Sequence, residues 1–145
     1  MEKHYRALEK MYLAAPINRI FDPRITVSNE KAEIEIDVNQ KLFHAARAVH
    51  GSVYFKMLDD AAFFAANSIE KDYFVLTVSF TIYLTRPISA GRMKSIGKVV
   101  NQTSTQIIAE AIVYDGQGRE LGRGNGIFVR SKLPLTDAMG YADKM

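Results

Sequence analysis

Cysteine is absent from this chain of 145 residues, which excludes disulfides, thiolate zinc sites and a cysteine nucleophile. That absence suits a reducing compartment. The chain also lacks a continuous apolar run at its start: Met1 to Ala15 mixes Glu2, Glu9 and several basic residues with apolar ones, so it reads as neither signal peptide nor membrane span. A cytoplasmic protein with no membrane partner is the expectation. There is no Lys/Arg tract, low-complexity segment or internal repeat, and the net charge of +3 is spread along the chain. Nucleic acid is therefore not an expected partner, whereas a small phosphorylated ligand suits this mildly basic balance. What is present is a globular composition, 48% hydrophobic and 24% charged. A domain of this size buries roughly 68–70% of its unfolded surface, so the chain reads as one unit, 1–145, with an N-terminal helical extension (1–20) and a C-terminal tail (132–145).

Periodicity orders the elements. Tyr5, Leu8, Met11, Tyr12 and Ala15 recur near one face of a short amphipathic helix, Glu2 to Ala14, which Pro16 ends. Arg24 to Ser28 and Ala32 to Val38 flank the turn residues Asn29-Glu30-Lys31, and in the second run Ala32, Ile34, Ile36 and Val38 alternate with Glu33, Glu35 and Asp37. This is a hairpin with one wet face. A long apolar helix, Ser52 to Ile69, comes next, followed by four strands: Phe74 to Arg86, Arg92 to Asn101, Thr105 to Tyr114 and Arg119 to Arg130. Pro87 with Gly91, Asn101 to Ser104, and Asp115-Gly116-Gln117-Gly118 supply the turns between them. Gly122, Gly124 and Gly126 leave one face of the last strand without side chains, which implies the close approach of a helix, a bulge or a partner chain. The expected fold class is α+β, a predominantly antiparallel sheet of five to six strands wrapped around one long buried helix. A helix that is apolar all round leaves an open sheet with uncovered apolar surface, and a homodimer is the simplest cover.

Chemistry concentrates at the start of the long helix. His50-Gly51-Ser52 places a glycine where unpaired backbone N–H groups and partial positive charge meet any polarised carbonyl. Asp59 follows within the apolar stretch. An ionised group buried without a partner is costly, so a carboxylate there is expected to pair, coordinate or react. Asp60 is expected to pair with Lys56 one turn away. His44, His50 and Asp59 do not read as a metal triad, because the helix offers no second ligand one turn from Asp59.

The stretch from His50 to Ser68, together with Thr77 ten residues before Pro87, resembles the His-Gly-Gly helix and following strand of hotdog-fold acyl-CoA thioesterases of the phenylacetate-degradation type. The resemblance runs from about Ala32 to Arg130. It implies that Asp59 is the general base or nucleophile, that Thr77 positions the attacking water, and that the Gly51 N–H binds the thioester oxyanion while His50 shapes the loop. Ser52, Phe55, Phe63 and Arg86 are the candidate substrate contacts. Coenzyme A enters as part of the substrate, so no separate cofactor is implied, and the expected assembly is a dimer or tetramer. Ser52 departs from the second glycine of the motif and is expected to serve as a helix cap. His44 stands where this type often has Asn; its imidazole N–H can replace the amide donor, and its protonation would then make activity pH-sensitive.

Helix geometry adds a constraint that the family does not supply. Eight residues separate Gly51 from Asp59, about 12 Å along one helix at roughly 1.5 Å per residue. One carbonyl cannot touch both. If both act on one thioester, they come from different protomers with antiparallel helices, giving two composite sites per dimer. The rival readings are an acyl-CoA-binding or regulatory protein without catalysis, and a hotdog hydratase or dehydratase, whose paired His and acidic motifs are not seen here.

Overall fold

A proline forces the first break. In the computed structural model, which describes residues 1–141, Ala15 is extended ahead of Pro16 and helix α1 (Glu2–Ala14) stops there. The expected tail positions 142–145 lie outside the described residues. A second, one-turn helix α2 (Asn18–Phe21), which periodicity does not reveal, precedes the hairpin of β1 (Arg24–Ser28) and β2 (Lys31–Asp37). Its turn is tighter than expected: Lys31 already belongs to β2, and Glu30 takes the positive φ of 60°. After a 3-10 turn at Gln40–Leu42 comes the long helix α3 (Gly51–Ser68). Strands β3 (Tyr73–Leu84), β4 (Arg92–Gln102), β5 (Ile107–Asp115) and β6 (Glu120–Pro134) follow, and a 3-10 turn at Asp137–Met139 ends the chain's described elements. β6 outruns its expected end at Arg130 because Pro134 still stands opposite Tyr73 of β3.

All six strands form one antiparallel sheet in the order β1-β2-β4-β5-β6-β3, and α3 lies against its inner face. This is the expected hotdog arrangement. No described helix is long and apolar enough to cross a membrane.

The helix seats on a row of small residues that runs across the strands. Ala32 of β2, Gly97 of β4, Ala111 of β5 and Gly124 of β6 stand side by side in register. A side-chain carbon on Gly97 would collide with the Ala61 carbonyl of α3, so helix and sheet backbones are in direct contact there. The β6 glycines have a different neighbour. A Cβ on Gly124 would lie 2.6 Å from the Thr81 carbonyl and one on Gly126 2.5 Å from that of Ser79, both on adjacent β3, with the Phe80 ring over the same space. β3 is irregular between Thr77 and Ser79, opposite Phe128 and Ile127 and just beyond these glycines, so within the chain the close neighbour of the glycines is the adjacent strand β3.

Burial of α3 is less uniform than its composition suggests. From Ala61 to Ser68 every residue is buried, but Ser52 and Phe55 are exposed and Lys56, Asp59 and Asp60 are half-buried. Their spacing of three and four residues makes one stripe. Two neighbours cover the helix around it: α1 on one side and β3 on the other.

The two edges of the sheet are treated differently. Arg6 of α1 donates to the Val27 carbonyl at 2.7 Å, and the Val27 N–H donates to the Glu9 carboxylate at 2.8 Å, so helix side chains occupy the β1 edge. Among the described residues no such cover lies over the β3 edge. Its Leu76, Val78, Tyr83 and Leu84 are 42%, 60%, 59% and 49% exposed.

Candidate active site

Asp59 projects from the half-buried stripe of α3 toward the start of β3, where the Thr77 hydroxyl donates to its Oδ1 at 3.0 Å. The other oxygen, Oδ2, accepts no protein hydrogen bond among the described residues. Burial pushes the Asp59 carboxyl up to about 6; Asp60 adds to the rise, while the Thr77 bond and Lys56 oppose it. Desolvation wins because Lys56 is engaged elsewhere. Its Nζ lies 2.6 Å from Asp60 Oδ2, the expected pair, and the Tyr12 hydroxyl donates to the same oxygen at 2.7 Å. Burial and the Asp60 carboxylate keep the Tyr12 hydroxyl protonated. Asp59 is thus the acidic residue of the pair without a cation in contact.

Beside Asp59 and Thr77 is a cavity of about 360 Å³. Phe63 and Phe64 of α3, Phe74 and Leu76 of β3, and Met11 and Tyr12 of α1 make its walls mostly apolar. Of the expected substrate contacts only Phe63 lies here.

At the N-terminus of α3 the helix cap is His50, not Ser52. The Ser52 N–H donates to His50 Nδ1 at 3.0 Å, and Ser52 Oγ lies 2.9 Å from the same nitrogen. An imidazole nitrogen can do what the expected serine oxygen does, and Ser52 stands two positions too late to cap. Gly51 is the first helical residue, and its N–H has no protein acceptor among the described residues. The His44 ring accepts the Ala46 N–H at Nδ1, 3.0 Å away, so the neutral ring carries its proton on Nε2. A second cavity, of about 310 Å³, is lined by His44, Gly51, Tyr54, Leu84 and Arg86. Arg86 makes no ion pair with its side chain among the described residues, although its carbonyl accepts the Tyr54 hydroxyl at 2.7 Å.

The predicted residues therefore fall into two groups. Asp59, Thr77 and Phe63 meet at one cavity; Gly51, His44 and Arg86 meet at another, with His50 and Ser52 at its helix cap. No lining residue is common to the two. Phe55 joins neither and packs on Phe80, ring centroids 5.8 Å apart. Sequence reasoning missed the part of α1 and α2 in the first cavity. Tyr12 and Met11 were legible as an apolar face, but nothing in their spacing says that Asp60 is the partner of that face.

A family model described as the thioesterase superfamily matches residues 47–121, just over half of the chain. The chain belongs to the thioesterase superfamily. Among solved structures, this thioesterase-superfamily chain is similar to the Escherichia coli PaaI protein from the phenylacetic acid degradation operon, at 18% identity and a TM-score of 0.84 over 93% of this chain and 98% of that one. A thioesterase family protein from Silicibacter pomeroyi superposes with a TM-score of 0.79 at 23% identity, over 87% and 96% of the two chains. At such identities the likeness is one of fold. A Saccharolobus solfataricus protein with a provisional esterase name is 21% identical over 98 residues, 68% of this chain and 65% of that relative's length. The superfamily match begins after α1 and α2, so the N-terminal wall of the first cavity lies outside it.

Proposed function

We propose that the protein hydrolyses an acyl thioester of coenzyme A as a homodimer, each site combining Asp59 and Thr77 of one protomer with Gly51 of the other. The observation that carries this reading is the Asp59–Thr77 pair beside an apolar cavity, with one carboxylate oxygen free and the carboxyl raised to about 6. A base of that strength is ionised at neutral pH yet still accepts a proton readily. Thr77 spends its own proton on Asp59 Oδ1, so it orients water as an acceptor. Asp59 takes the proton of that water as it attacks the thioester carbonyl, or attacks that carbon itself to form a mixed anhydride that water then cleaves to free acid and Asp59. In either case the oxyanion forms against the Gly51 N–H and the thiolate of coenzyme A departs and takes up a proton. His44 lends its Nε2 proton to the carbonyl, and His50 holds the glycine as the helix cap. Ser52, Phe55 and Phe63 contact the substrate, and Arg86, with no carboxylate partner, meets a phosphate of coenzyme A.

The separation of the two cavities on one chain supports a composite site, as does the apolar, uncovered β3 edge. Release of free coenzyme A from a panel of acyl-CoAs tests the reading. Asp59→Asn is expected to lower turnover by roughly 10² to 10⁴, the usual contribution of a general base, and Asp60→Asn by far less. A protein that binds acyl-CoA without turnover, or an undiminished Asp59→Asn rate, would overturn it.

A further inference from the structure

One wall of the Asp59 cavity is built by a segment outside the superfamily match. Met11, Ala15 and Ile17, from the end of α1 and the link to α2, line the cavity together with Phe63, Phe64 and Phe74. This segment is pinned beside the reacting carboxylate. Tyr12 donates to Asp60 at 2.7 Å, Lys56 Nζ sits 5.1 Å from the Tyr12 ring centroid and 5.0 Å from that of Phe21 in α2, and Tyr12 packs edge-on against Phe64. One cation on α3 thus holds both N-terminal helices, and charge-assisted and cation–π contacts of this kind are stronger when partly desolvated. Asn18 adds a bond of 2.6 Å to the Tyr12 carbonyl, which fixes the turn between the helices.

We infer that this N-terminal segment is the specificity wall of the acyl site: Met11, Ala15 and Ile17 close the cavity and restrict the acyl group to a compact apolar one. The inference rests on the acyl-CoA hydrolase reading. A volume of about 360 Å³ is near the lower end for small-molecule pockets, roughly 300–1,000 Å³, and too small for a long fatty chain unless the wall moves. Met11, Ala15 and Ile17 give the wall an apolar surface and the Tyr12 hydroxyl is held by Asp60 and Lys56, so among the described residues Asn18 Oδ1 is the polar atom of this wall that is buried without a partner.

The experiment measures kcat/KM over straight-chain acyl-CoAs from acetyl to palmitoyl, with phenylacetyl-CoA, for wild type, Ala15→Phe and Ile17→Ala. Ile17 is exposed, so its truncation leaves the core intact. Ala15→Phe is expected to lower kcat/KM by about tenfold or more for the largest acyl group that wild type accepts and to spare acetyl-CoA, since a single methylene in a pocket is worth roughly tenfold. Ile17→Ala is expected to move the optimum to longer chains. Active variants with the wild-type chain-length profile would overturn the inference and leave the hydrolase reading standing. Wild type that releases no coenzyme A from any member of the series would overturn both.

Discussion

At the scale of single residues, Asp59 makes the stability of the fold depend on pH. Its folded-state carboxyl titrates near 6, above the ordinary value of 3.8, so burial disfavours the ionised form. The cost to the folded state is absent below pH 4, grows as pH rises between the two values and is constant above about 6. Asp59→Asn, which can still accept the Thr77 bond, is therefore expected to stabilise the fold at pH 7.5 by about 1–2 kcal/mol after allowance for solvent screening, and to make no difference near pH 4. Urea midpoints at the two pH values check this. Turnover should run the other way: kcat/KM rises with pH to a plateau, with an apparent midpoint near 6, as Asp59 becomes ionised. A flat profile between pH 5 and 7 would remove Asp59 from the chemistry. The residue pairs differ in how legible they are. Lys56–Asp60 follows from a one-turn spacing, and Asp59–Thr77 from the motif; the His50 cap does not, because histidine is an uncommon N-cap and only the backbone geometry names it.

At the scale of elements, the decisive contact is between α3 and β4. Because Gly97 meets the Ala61 carbonyl, a backbone atom that cannot rotate away, Gly97→Ala must push the helix off the row of small residues. A loss of about 3 kcal/mol, at the upper end of overpacking costs, is expected, or a fall in melting temperature of roughly 10 °C followed by calorimetry. Gly51→Ala should be far milder in the same assay, since its nearest neighbour is the tip of the Leu84 side chain. Alternation and turn residues located the strands to within a few positions, and the apolar run located α3. The importance of Gly97 could not be read in the same way. A lone glycine in a strand looks like a weak spot until the element crossing it is known.

At the scale of the whole molecule, the sheet has one closed edge and one open one. Side chains of α1 occupy the backbone groups of β1 at Val27, whereas β3 presents apolar residues on an unpaired edge. In the proposed homodimer, pairing through the edge strand β3 would bring Thr77 near a second copy. Val78→Asp places a charge in that face without touching the described core. It is expected to yield a folded monomer, seen by sedimentation and unchanged far-UV circular dichroism, that has lost coenzyme A release. A monomer with full activity would separate assembly from chemistry.

The amino-acid sequence by itself determined the order of the main helices and strands, the α+β class and which helix carries the candidate base, because these depend on local periodicity, turn chemistry and the cost of a carboxylate in an apolar run. It also required Gly51 and Asp59 to stand apart, since the rise of a helix is a local constant. Tertiary structure alone decided what surrounds them. That Tyr12 reaches Asp60 across 48 residues, that α2 exists and that Met11 and Ile17 line the cavity beside Asp59 all depend on where α1 docks. Docking is set by the summed fit of distant surfaces, which no window of neighbouring residues encodes.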